Sequence, residues 1–268
     1  MSTTQSTIQL PHAELSPSLD VVQGRYRLRF ARTEGDLDEV CRLRFDVFNL
    51  ELGEGMDESH ITRRDTDQFD IHCQHLMVID QKSEEVVGTY RLQVSDAAEV
   101  GEGFYSATEF ELGTLPRKMV HDSIELGRAC VARKHRSRKV LFTLWKGLMV
   151  YLRWHEKRYF FGCSSLTSQD AAIGLATYRL LNDHGHLHPE LQTHAQPGYE
   201  CISPDAVTRA AKIPDSDIQI PPLFGIYLRY GAKLIAPPAI DRAFGTIDFL
   251  TLIDTAQLDP KVFQTFAL

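Results

Sequence analysis

"ELGRACVARKHRSRKVL", residues 125–141, decides how the chain is read. A strand-like run, "SIELGRACVA", leads into five Lys and Arg plus a histidine, and an apolar helical pattern, "KVLFTLWKGLMVYLRWHEK", follows at once. Strand, basic loop and helix is the order this predicts. The 268-residue chain carries a formal net charge of −7, so the loop reads as a local anion site on an acidic surface. A nucleic-acid-binding module would be basic overall and would interleave aromatic residues with the charge, so no nucleic acid is expected.

Outward from this stretch the periodicities alternate between two and 3.6. Upstream, "YRLRFA" reads as a strand, and "TEGDLDEVCRLRFDVFNLEL" as a helix with Leu37, Val40, Cys41, Phe45 and Phe48 on one side, capped by Thr33 or Asp36. "HLMVID" and "EVVGTYRLQV" form a hairpin through "QKSEE", and a looser stretch follows from about 96 to 122. Downstream, the strand "RYFFGCSSL" enters the helix "TSQDAAIGLATYRLLNDHG", with Thr167 and Asp170 at capping-box spacing and Gly185 suited to its end. Residues 186–221, rich in His, Pro and Asp, read as a surface excursion before the short helix "PPLFGIYLRYG" and the strands "AKLIAPPAI" and "TIDFLTLID". Residues 1–24 read as a polar flexible arm and 25–268 as one domain, an α/β (α+β) mixed sheet covered by helices.

Composition narrows the class. At 43% hydrophobic and 24% charged, the chain has a globular composition, with no apolar run near the roughly 20 residues needed to span a bilayer, and "MSTTQSTIQLPHAELSPSLD" does not read as a secretory signal, since it lacks a basic segment and apolar core. Five scattered cysteines without a CxxC pair argue against a disulfide framework or zinc ribbon, and a cytoplasmic location is expected. The three histidines of "HGHLH", His184, His186 and His188, stand without further ligands, so no metal is expected. Trp145, Leu148, Met149, Leu152 and Trp154 either pack on the sheet, the default, or include a surface for peripheral membrane contact.

The element order, with a basic loop between a central strand and its helix, resembles the GNAT N-acyltransferases. "RLRFDVF", "DTDQFD", "HLMVID", "VVGTYRL" and "ELGRACV" follow in the order of the acyl-carrier-protein-dependent branch, which holds the acyl-homoserine-lactone synthases and the ornithine-lipid N-acyltransferases. "HRSRKVLFTLWKGLMVYL", "YFFGCSSL", "PPLFGIYLRYGAKL" and "PPAIDRAFGTIDFL" resemble the ornithine-lipid, hemolysin-like type. The resemblance covers about residues 26 to 255. It implies a GNAT-like fold whose central mixed sheet splays beside the strand that ends near Val131. It implies no cofactor, an acyl carrier protein whose phosphopantetheine thioester is the donor, and an amino-acid acceptor, L-ornithine first. Glycine or another amino acid is the alternative acceptor, and the long C-terminal portion disfavours a lactone synthase.

The same resemblance suggests site residues. Glu125 falls where the acidic residue of the Glu-x-x-Arg pattern lies and is a candidate base; the alternative is that it pairs with Arg128 and braces the strand. Positions three apart on a strand lie on opposite faces unless a bulge intervenes, which Gly127 would ease. Exposed backbone N–H groups near Cys130 would then polarise the thioester carbonyl. Tyr178 resembles the tyrosine that protonates the departing thiolate. Asp67, Asp70 and Arg91, with Arg44 and Arg128, either bind the charged acceptor or form a structural ion network. Arg133, Lys134, Arg136, Arg138 and Lys139, with His135 among them, would meet a single phosphate on an acidic carrier by side chains, because the paired glycines of the usual pyrophosphate loop are absent.

Overall fold

In the computed structural model, which describes residues 8–259 and Phe266, the alternating and helical patterns become nine strands and eight α-helices. They run β1 (Asp20–Gln23), β2 (Tyr26–Phe30), α1 (Glu34–Phe45), α2 (Ser59–Thr62), β3 (Gln74–Asp80), β4 (Val86–Val94), α3 (Ser95–Val100), α4 (Arg117–His121) and β5 (Ser123–Val131). Then follow α5 (Arg138–Trp154), β6 (Tyr159–Leu166), α6 (Ala171–Asp183), α7 (Pro204–Ala210), α8 (Pro222–Arg229), β7 (Lys233–Leu234), β8 (Ala239–Asp241) and β9 (Thr246–Asp254). The chain divides into two compact units. The first holds the described residues of Met1–Gly103, Leu126–Lys157 and Phe266; the second holds Phe104–Glu125 and the described part of Arg158–Val262.

In the first unit the strand order is β1-β2-β3-β4-β5, antiparallel from β1 to β4. Thr33 starts α1 through a capping box: its hydroxyl accepts the Asp36 N–H, and Asp36 accepts the Thr33 N–H. The helix passes into a π-helical turn, Asp46–Leu52, which ends at left-handed Gly53. Every residue of β4 is buried, as expected of a strand covered on both faces, and α1 and α5 both pack on it. Helix α5 approaches β3 closely, so that a Cβ on Gly147 would stand 2.5 Å from Leu76 Cδ2. Trp145, Leu148, Met149 and Leu152 are buried, and Trp145 stacks on Phe266 at 5.1 Å. These four therefore belong to the core and offer no membrane surface; Trp154 alone of the expected set is exposed. Each buried large apolar side chain is worth ~1.5–3 kcal/mol, which is why the default packing prevails.

In the second unit the first three residues of β5 run parallel to β6, Ser123↔Tyr159 to Glu125↔Phe161, and no further register pair of these strands occurs among the described residues. Strand β6 pairs antiparallel with β9 from Tyr159↔Asp254 to Leu166↔Ile247, and β7 and β8 add to β9. Ala172, Ala176, Ala206 and Ala210 bring α6 against α7.

Three local expectations change. Asp20–Gln23, in the stretch expected to be an arm, pairs with Tyr26–Arg29, while residues 1–7 lie outside the described residues. Helix α6 is capped by Asp170, which accepts the Ala172 N–H at 3.0 Å, and Thr167 lies outside the helix. The 186–221 excursion contains α7, started by Ser203.

Candidate active site

In the first unit, the last turn of α1, the loop 65–70, β4 and β5 bring six charged side chains together. Arg44 Nη1 donates to Asp70 Oδ1 at 2.7 Å and its Nη2 to Asp65 Oδ1 at 3.2 Å. Arg91 Nη1 donates to both Asp67 oxygens at 2.6 Å and to Asp70 Oδ1 at 2.9 Å. Arg128 Nη2 donates to Asp67 Oδ2 at 3.0 Å, with its Nε 3.5 Å from Asp65 Oδ2. Three guanidinium and three carboxylate groups balance, and each arginine faces at least one carboxylate. The Arg44 and Asp65 side chains are fully closed to solvent, whereas Asp67 and Arg128 form the slightly open edge, at 8% and 7% exposure.

Burial works to raise the Asp70 carboxyl, but the charges of Arg44 and Arg91 outweigh it and hold the group far below the ordinary carboxylate range. Burial likewise opposes ionisation of Asp67, and Arg91 and Arg128 overcome it. His75 lies beneath the loop with Nε2–H donating to the Asp70 carbonyl at 2.9 Å, and burial lowers its pKa to about 4. The expected acceptor set Arg44, Asp67, Asp70, Arg91 and Arg128 is thus assembled in one place. Asp65, within the quoted "DTDQFD", completes it and was missed, because its Asp-x-Asp spacing to Asp67 carries no signal of its own.

Strand β5 is distorted at Arg128 itself, whose φ of +46° is left-handed, a rare state for a long side chain. Gly127 does not take up the distortion, since it is absent from the positive-φ glycines. Cys130 is buried and burial pushes its thiol well up, so the thiol is no nucleophile.

The basic loop forms a 3-10 turn, Arg133–His135, before α5. Arg133, Lys134, Arg138 and Lys139 are exposed. Arg136 is bound differently, forked onto Glu51 with Nη2 donating to Oε2 at 2.8 Å, while His135 Nδ1 meets Tyr26 OH at 3.3 Å. Ser137 occupies the N-cap of α5 without a side-chain cap bond, and the first turn holds no acid. Arg138 and Lys139 therefore add positive charge to the positive end of a 17-residue helix, an arrangement an anion relieves.

In the second unit, Glu125 accepts the Tyr105 N–H at 2.9 Å and the Ser106 N–H at 2.7 Å, and is 5% exposed. Its carboxylate anchors the 3-10 turn Tyr105–Thr108 to β5. Ser106 Oγ lies 3.6 Å from Cys163 Sγ on β6, and Tyr105 OH donates to Asp241 at 2.8 Å. Tyr178 packs with α6 against the cluster of Leu166, Leu181, Phe224 and Phe249, and burial raises its hydroxyl above the usual phenol range. His184 Nδ1–H donates to the Leu180 carbonyl, and His188 Nδ1 accepts the Glu190 and Leu191 N–H groups, so two of the "HGHLH" rings serve local turns. Among the described residues, the potential metal-ligating groups that converge are Glu109, Cys163 and Asp248, a set with no local sequence pattern. No helix among the described residues is long and apolar enough to cross a membrane.

Residues 43–146 match the family model described as an acetyltransferase (GNAT) domain, and together with the relatives that follow this makes the chain an N-acyltransferase. Over 246 residues the chain is 35% identical to the L-ornithine N(alpha)-acyltransferase of Rhodobacter capsulatus, covering 88% of this chain and 92% of the relative. The enzyme of the same name from Rhizobium meliloti is 30% identical over 273 residues, 96% of this chain and 90% of the relative. The chain belongs to the L-ornithine N(alpha)-acyltransferase family. Among solved structures, an N-acyl amino acid synthase from uncultured soil microbes aligns with TM-score 0.49 at 11% identity, over 88% of this chain and 95% of that one. A CoA-dependent acyl-homoserine lactone synthase aligns with TM-score 0.45 at 12% identity, over 86% and 79%.

Proposed function

We propose that this enzyme transfers a 3-hydroxyacyl chain from acyl carrier protein to the α-amine of L-ornithine, giving a lyso-ornithine lipid. The observation that carries the acceptor is the identity with relatives of that name over nearly the whole chain. The donor reading rests on the exposed Arg133, Lys134, Arg138 and Lys139 at an acid-free helix start, a setting for one phosphate on an acidic carrier. In the reaction the neutral α-amine attacks the thioester carbonyl carbon, the C–N bond forms, the C–S bond breaks, and the proton lost by nitrogen balances the one gained by the departing thiolate. Glu125, oriented by two N–H donors, takes the amine proton directly or through water. The ion network stays within the first unit, where Arg44, Asp65 and Asp70 brace Asp67, Arg91 and Arg128. Tyr178, half-buried on α6, is the proposed donor of the proton to the departing thiolate.

The test is direct. Purified protein, 3-hydroxyacyl carrier protein and a panel of amino acids are combined, with products read by mass spectrometry. Acylated ornithine is expected; acylation of glycine in preference to ornithine would replace the acceptor, and equal use of acetyl-coenzyme A would remove the carrier protein.

A further inference from the structure

Among the described residues, Glu109, Cys163 and Asp248 are the converging metal-type ligand groups left unused by that scheme. One ligand atom from each lies within 4.8 Å of the others. Glu109 and Asp248 are 1% and 2% exposed, while Cys163 is half-buried and forms the more open side. Asp248 Oδ1 is buried without a hydrogen-bond partner. Two carboxyl groups so close and so dry do not both ionise unless a cation joins them. Burial raises the Asp248 carboxyl despite its hydrogen bonding with Ser165 and Glu109, which fits a pair that shares a proton when nothing else is bound. The Cys163 thiol is pushed well up by burial and by the neighbouring Glu109 and Asp248 charges, so it stays protonated beside them. The cluster is tied to Glu125 by Ser106, whose N–H serves Glu125 and whose hydroxyl faces Cys163 Sγ.

We propose that Glu109 and Asp248, with Cys163 at the rim, bind the side-chain ammonium of a dibasic amino-acid acceptor. The proposal rests on the acyltransferase reading above and deepens it. An ammonium carries one positive charge and three N–H donors, which suits Asp248 Oδ1, the Glu109 carboxylate and a thiol sulfur. On binding, it replaces the shared proton of the pair. Ser106 then separates the carboxylate that deprotonates the reacting amine from those that hold the other nitrogen charged, which would direct acylation to the α-amine.

L-norvaline supplies the test, since it has the ornithine carbon skeleton without the δ-nitrogen. Wild-type protein is assayed with L-ornithine, L-lysine, L-2,4-diaminobutyrate and L-norvaline, and binding of ornithine and norvaline is measured by calorimetry without donor. A preference of about 10²-fold or more in kcat/KM for ornithine over norvaline is expected, because a buried polar site left unpaired rejects the deficient analogue. Asp248→Asn and Glu109→Gln should collapse that ratio, chiefly through KM for ornithine, with melting curves confirming that the variants fold. Equal use and equal binding of the two amino acids by wild type would overturn the subsite while leaving acyl transfer intact. Differential binding without any turnover would keep the subsite and remove the acyl-transfer reading. A stoichiometric divalent metal in the purified protein, lost in both variants, would assign the cluster to the metal instead.

Discussion

Arg44 donates to Asp70 at 2.7 Å with both side chains shut away from solvent, at 0% and 3% exposure. Neither charge has water to fall back on, so removing Asp70 leaves three buried guanidinium groups facing only Asp65 and Asp67. Asp70→Asn should destabilise the fold by about 3–5 kcal/mol, read as a lower denaturation midpoint at unchanged slope. A midpoint shift below about 1 kcal/mol would show that the cluster is more open than its burial implies.

His75 and the aspartates give the stability a pH dependence of one sign. His75 titrates near 4 in the fold against 6.5 for an ordinary histidine, so between these values the unfolded chain binds the extra proton and acidification costs about 3 kcal/mol. Asp67 and Asp70, both depressed in the fold, contribute stability above the ordinary carboxylate value and lose it as pH falls further. Denaturant titrations from pH 7 to 4 should show the first loss, and His75→Gln should flatten that window. A profile that stays steep in the variant assigns the loss to other groups.

The basic residues separate into two behaviours. Arg136 is committed to Glu51, and its replacement by Ala should cost under about 1 kcal/mol of stability. Arg138 and Lys139 are exposed in the first turn of α5, and replacing both by Ala should raise KM for acyl carrier protein several-fold, most strongly at low salt. Unchanged kinetics at every ionic strength would leave these charges as a solvated face.

How much of this was legible depended on the range of the signal. The strand, loop and helix around residues 125–141 and the Thr33 capping box follow from local pattern and match the fold. Arg44, Asp67, Asp70, Arg91 and Arg128 also came together, because each sits in a segment whose order resembles a known arrangement. Strand β1 was hidden because half of its residues are exposed and none is fully buried, leaving no apolar face to read. The left-handed Arg128 was hidden because an adjacent glycine was the better local candidate for distortion. Glu109, Cys163 and Asp248 were out of reach altogether: they stand far apart in sequence, and only the pairing of β6 with β9 and the turn before α4 brings them to one point.

Gly147 tests the packing of the first unit. Its missing Cβ would meet Leu76 Cδ2 at 2.5 Å and Cδ1 at 2.7 Å, and Leu76 is 0% exposed. Gly147→Ala therefore gains helix propensity of about 1 kcal/mol yet loses about 1–3 kcal/mol to overpacking. A net fall in melting temperature is expected, and recovery is expected when Leu76→Val is added. A more stable single variant would mean that α5 and β3 yield readily.

Glu125 is where an anchoring role and a chemical role meet in one carboxylate. Two N–H donors, from Tyr105 and Ser106, point at its two oxygens, so Glu125→Gln keeps an acceptor for one and turns an NH2 group toward the other. Leaving a buried donor unsatisfied costs about 1–3 kcal/mol, and a lower melting temperature is expected on that ground alone. A base role adds a separate loss, about 10²-fold or more in kcat per folded molecule. That loss should shrink as pH rises, because more of the acceptor amine then arrives already neutral. Measuring the folded fraction and the pH–rate profile on the same preparation separates the contributions. A variant that melts early but turns over normally for each folded molecule would leave Glu125 as the anchor of the 105–108 turn and take it out of the proton transfer.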